Sequence, residues 1–202
     1  TSKAILAAMA LALVLPAVAH ADDTKSMTDI YKTMFSKVPE GWEKRLEQDE
    51  TQKVCSDTRN NPSPKQAEAI LAREAKNVVL PADGNVMGDW TKGEKLAQSG
   101  YGGRFTDTDP KKENGGNCYA CHQLATHEVS YGTIGPSLMH YGKLRDFAPE
   151  AAKQTYTRIY NPQSQIACAL MPRFGHNKFL TEQQMKDLTA FLMSPDSPVN
   201  KD

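Results

Sequence analysis

The chain has no excess of either charge: 24 lysines and arginines stand against 24 aspartates and glutamates. That balance removes the electrostatic footprint that nucleic acid or an anionic membrane surface would require. Beyond the N-terminus there is no run of about 18 or more apolar residues, so no membrane span is expected after residue 21. No alternation of apolar and polar residues persists long enough to build a sheet. There is no internal repeat. Cysteine is scarce, with residues at 55, 118, 121 and 168 alone; Cys55 and Cys168 are isolated, and no second ligand pair stands at a zinc-finger distance from the 118/121 pair, since His122 and His127 follow it directly. A zinc knuckle needs such a second paired motif, which argues against one.

The apolar run that does exist opens the chain, in "TSKAILAAMALALVLPAVAHADD". Lys3 supplies a small basic region, Ala4 to Ala19 the apolar stretch, and Ala19-His20-Ala21 the small-x-small pattern of a cleavage site. Residues 1–21 are expected to be a secretory signal peptide, a retained N-terminal anchor being the alternative. The mature chain is then expected in the periplasm, an oxidising compartment that permits disulfides.

From residue 22 the periodicity is helical. Met27, Ile30, Tyr31, Met34 and Phe35 fall at i, i+3, i+4, i+7 and i+8, and a second helix is expected from Trp42 to Val54. Ser63-Pro64-Lys65-Gln66 has the residues of a capped helix start, with Ala67, Ile70, Leu71 and Ala75 on one face. "LPADGN" at 80–85 breaks the chain, so residues 22–85 read as an α-helical N-terminal extension and 86–202 as an all-α domain. Within that domain, helices are expected from Asp89, after Pro149 until Asn161-Pro162, and from Thr181 through Met193.

The informative stretch is "GGNCYACHQL", which places Cys118, Cys121 and His122 in the order C-x-x-C-H. A redox dithiol of the thioredoxin kind sits in a strand–helix pattern that is missing here. Two thiols at this spacing with an imidazole directly after the second suit the attachment of a c-type haem. The thiols add to the two vinyl groups, and the imidazole binds iron. Cys118 and Cys121 are thus expected to anchor one covalent haem c, with His122 as proximal ligand. Pro136, in "IGPSL", is the candidate carbonyl to accept the imidazole N–H; an ordinary loop proline is the other reading.

Candidates for the sixth ligand are Met139, Met171, Met185, Met193, His127, His140 and His176. Met185 and Met193 lie in the last helix and read as filler. Met139 and His140 follow the proline loop too closely to reach the opposite haem face. Met171, in "LMPRFG", has a helix and an Asn-Pro turn before it and a stiffening proline after it; it comes first and His176 next. His/Met ligation fills both axial positions and leaves one-electron transfer as the chemistry.

These residues resemble class I cytochromes c over roughly residues 86–195, through CYACH, GPSL, MPRFG and "LTEQQMKDLTAFL". More narrowly, the stretch from Asn161 to Asn200 is similar to the SoxX family, the monohaem subunits of the SoxAX cytochromes of bacterial thiosulfate oxidation. The resemblance implies a heterodimer with a SoxA-type cytochrome, which carries the substrate-handling cysteine. It implies transient contact with the SoxYZ carrier protein and onward transfer to a small cytochrome c. The complex would be an L-cysteine S-thiosulfotransferase; this chain alone is not expected to hold a catalytic residue. A freely diffusing electron carrier is the alternative, and a haem enzyme or gas sensor would require an open iron site.

Two readings remain. Cys55 and Cys168, left over in an exported chain, are expected to pair, although Cys168 could be a buried small residue or bond to the partner. Lys143, Arg145 and Arg173 are candidate docking cations near the haem edge, with Tyr31 and Phe35 as apolar anchors. Solvated surface charge is the plainer reading of the three cations.

Overall fold

A computed structural model of the chain describes residues 27–38 and 42–201. The expected signal segment, 1–21, lies outside the described residues. Two compact units are present, Thr1–Lys37 and Val38–Asp202. The described secondary structure is helical with no strand, which is the all-α class of the class I cytochrome c fold. No helix among the described residues is long and apolar enough to cross a membrane.

The first unit contains α1, Met27–Met34. Ile30, Met34 and Phe35 of its apolar stripe are exposed. The side chain of Tyr31 lies outside the described residues.

In the second unit the stretch expected as one helix from Trp42 is interrupted. A short 3-10 turn covers Glu43–Leu46, the backbone extends through Glu47 and Asp49, and α2 begins afresh at Glu50–Asp57. The cause is local. The Asp49 side chain accepts the Gln52 N–H while the Gln52 side chain accepts the Asp49 N–H, a reciprocal cap that starts a helix rather than continuing one. The same device starts α3, Pro64–Ala75, at Ser63 and Gln66, and α6, Glu182–Met193, at Thr181 and Gln184. Each such cap contributes about 1 kcal/mol. Asp89 caps α4, Trp90–Gln98, and Pro149 opens α5, Pro149–Tyr160, where its missing N–H costs nothing. A turn at Pro81–Gly84 interrupts the chain between α3 and α4, with Gly84 at φ +71°. Both sides of that turn belong to the same compact unit.

The core is built around α6. Met185, Leu188, Phe191 and Met193 are each 2 % exposed or less, and Tyr156 and Ile159 of α5 and Leu96 of α4 join them in one cluster. Helices α4 and α6 meet backbone to backbone, because a Cβ at Gly93 would stand 2.1 Å from the Asp187 carbonyl oxygen. The Asp187 carboxylate also accepts the Asp89 N–H at 2.8 Å, fixing where α4 starts on α6. This crossing holds the end of α4 in place, and the cysteine loop hangs from that end.

Candidate haem site

Backbone hydrogen bonds from Gly116 to Leu96 and from Asn117 to Ser99 tether the loop to the last turn of α4. Asn117 then takes a left-handed φ of 48° and turns the chain into a 3-10 turn, Cys118–Ala120. The N–H groups of Cys121 and His122 both donate to the Cys118 carbonyl, at 3.1 and 2.9 Å. Two thiols and an imidazole are thereby wound onto a single turn.

The imidazole is aimed by a second loop. His122 Nδ1 lies 2.7 Å from the Pro136 carbonyl oxygen. A carbonyl only accepts, so the ring proton sits on Nδ1 and Nε2 keeps a lone pair free to bind a metal. Gly135 makes the approach possible, since a Cβ there would stand 2.1 Å from His122 Cε1. The Gly135 N–H donates to Cys121 and the Leu138 N–H to Gln123, so the loop is laced onto the residues it supports. Nothing in the sequence signals this need for glycine except its place beside the proline.

The thiols suit haem attachment better than redox exchange. Cys118 and Cys121 are not bonded to each other. Burial pushes the Cys118 thiol up to about 12, the reverse of the lowered value that makes an exchanging dithiol reactive.

Met171 is half-buried and packs on the rim of the main core cluster, as do Cys118 and Leu138. Large apolar side chains also stand exposed beside the two ligand loops, Ile134 next to Gly135 and Leu170 next to Met171. A porphyrin face is the kind of surface such residues cover. The donor set, the glycine cradle and these apolar flanks all fit a haem. Most of the other sixth-ligand candidates are engaged elsewhere. Met185 and Met193 are in the core, His127 Nε2 is 3.1 Å from Glu94, and His176 Nε2 faces Asp49 at 3.8 Å. Met139 and His140 directly follow the Pro136 loop that braces His122, and the His140 N–H donates to the Val199 carbonyl.

Either side of Met171 the loop is fastened to the N-terminal segments. Cys168 is disulfide-bonded to Cys55 of α2. Arg173 needs a correction as a docking cation. It is 5 % exposed, with Nη2 on Asp49 at 2.6 Å and Nη1 on Glu74 at 3.5 Å. Its charge is satisfied inside the protein and offers nothing to a partner. Lys143 and Arg145 are exposed, and Arg145 stacks on the Tyr141 ring at 3.6 Å. Phe35 is exposed in the other unit.

Glu74 is itself buried, held by Thr51 and by Asn161 Nδ2 at 2.8 Å. Burial alone would raise its carboxyl. The hydrogen bonds from Thr51 and Asn161 and the charge of Arg173 outweigh that and hold it below the ordinary 4.5. Asp49 is likewise held below 3.8, burial being outweighed by the Gln52 N–H and Arg173. Depressed carboxyls contribute stability above their unfolded values that is lost as pH falls through the folded ones. Urea stability should therefore begin to drop below about pH 5 and go on falling as the pH passes through the depressed folded values, and Glu74→Gln should flatten that limb. An equally steep limb in Glu74→Gln would mean that other carboxylates set it.

The comparisons with known proteins agree with this geometry. The Cytochrome c family model matches residues 92–195. The chain belongs to the cytochrome c family. A protein described as an uncharacterized lipoprotein from Aquifex aeolicus (strain VF5) is 42 % identical over 161 residues, covering 76 % of this chain and 73 % of that one. As a cytochrome c the protein carries covalently bound haem c and has a haem electron-transfer role. The bound group supplies an iron that alternates between ferric and ferrous. The turn at 118–122 would hold the group through its two thiols, and the Pro136 carbonyl holds the His122 ring proton on Nδ1.

Proposed function

We propose that this cytochrome is a periplasmic electron-transfer subunit with His122 and Met171 as axial ligands, working in a SoxAX-type heterodimer on thiosulfate. The observation that carries the ligand reading is the placement of Met171. It is a half-buried methionine on a loop braced on both flanks, whereas Met185 and Met193 are buried, His127 and His176 face carboxylates, and Met139 and His140 directly follow the loop that braces His122. Support for the SoxX reading comes from the Asn161–Asn200 stretch. The lipoprotein description of the relative supports a location outside the cytoplasm.

The substrate step balances without chemistry on this chain. A carrier cysteine thiol and thiosulfate join through a new S–S bond, releasing one proton and two electrons. One haem takes one electron at a time, so each must leave for a small cytochrome c acceptor before the next arrives. Lys143 and Arg145, exposed on one short turn, are the residues that would orient an acidic partner. Their reversal to glutamate should slow thiosulfate-dependent haem reduction about tenfold at low ionic strength, where steering is strongest. The spectrum should be unchanged. Stopped-flow mixing with a SoxA-type subunit, carrier protein and thiosulfate tests this. Absence of reduction by the wild-type assembly would exclude the thiosulfate role and leave a freely diffusing carrier. Equal rates in wild type and the reversed variant would reduce the two cations to solvated surface.

A further inference from the structure

We propose that Arg173, with the two carboxylates that hold it, is a positioning residue for the axial methionine; the inference rests on Met171 being that ligand. Met171 lies three residues after Cys168 and two before Arg173, and each of these is tied to the segments before the haem motif. Cys168 bonds to α2 and has a left-handed φ of 57°, so the chain turns sharply at the disulfide. The Arg173 guanidinium spans two separate elements, reaching Asp49 at the start of α2 and Glu74 in the last turn of α3. Glu74 in turn binds Thr51 of α2 and Asn161 at the end of α5. The loop's position is therefore defined against three helices at once. Between the two anchors only Ala169, Leu170, Met171 and Pro172 remain. Gln163 Nε2 holds the Ala169 carbonyl, and Pro172 has its φ fixed by its ring.

Stability alone is a weak account of this cluster. Buried ions lose hydration that packed apolar residues of similar volume need not replace, so a buried charge group often adds little net stability. What the planar guanidinium fork adds is a fixed geometry between two carboxylates. A methionine sulfur that must stay on one iron has use for that restraint. The segment before residue 86 would then be part of the electron-transfer site, acting through the position of one sulfur.

The test uses haem-loaded protein carrying Glu74→Gln with Arg173→Gln, which removes both buried charges together. Two signals are followed through a urea titration: the weak far-red band of ferric methionine ligation, and far-UV circular dichroism. Hydrogen exchange of residues 169–171 is measured in parallel. In the wild type the band and the helices should be lost together. In the variant the band should disappear at lower urea, and loop exchange should rise about tenfold or more while α6 keeps its protection. Should the pair not fold, Asp49→Asn, at the half-exposed end, should show the same order of loss to a smaller degree. Band loss that still tracks the helices, or loop exchange at the wild-type rate, overturns the positioning role. A wild type whose far-red band survives Met171→Ala overturns the ligand reading beneath it.

Discussion

Replacing Cys118 and Cys121 together by alanine should leave a chain whose haem is released completely by acid–acetone. The wild type should keep one haem mass on the polypeptide through the same extraction. The effect is expected to be all-or-none because each anchor would be a covalent thioether, and an axial ligand alone does not hold haem through acid. The single variants are more informative about geometry. Cys118 rests on the core rim, and burial pushes its thiol up to about 12. Cys121 sits where the turn opens toward His122. Each single variant should keep covalent haem through one bond and show a shifted ferrous spectrum. Complete haem extraction from the wild type by acid–acetone would contradict covalent attachment itself.

Loss of the disulfide should be the largest effect on stability. The bridge joins residues 113 apart in sequence, and in the chain-entropy account a loop near that size contributes about 4–5 kcal/mol. Most domains have only about 5–15 kcal/mol in all. Cys55→Ala with Cys168→Ala should therefore lower the urea midpoint substantially. It should also raise the slope of the transition, because an uncrosslinked unfolded chain exposes more surface. An unchanged slope with a lowered midpoint would place the contribution in native contacts instead. The second cluster, in which Ile70 and Val54 pack on the two cysteines, is the place for such contacts.

Much of this is legible in local signals. The caps at Ser63 and Thr181 and the prolines at 64 and 149 mark helix starts that the structure has. The C-x-x-C-H turn is local, and so is the proline after it. The interruption at Glu47–Asp49 is hidden because Asp49 and Gln52 form a capping pair inside a stretch that also satisfies helical periodicity. Arg173 misleads for a different reason. Its partners lie 124 and 99 residues away, and no local pattern reports an ion pair closed over such a distance. One clue is present: Glu74 stands four residues after Ile70, on the inward face of α3, where an acid calls for a buried partner. The role of Gly135 is invisible in the sequence, because only the contact between loop and imidazole shows what its missing side chain avoids.

A closed, six-coordinate haem that only transfers electrons has no free position for a gas, so carbon monoxide is the most direct test. Ferrous protein at neutral pH should keep its spectrum under saturating carbon monoxide, and Met171→Ala should bind the gas and shift its Soret band. Ready binding by the wild type would mean an open iron site, and a haem enzyme or gas sensor in place of an electron carrier.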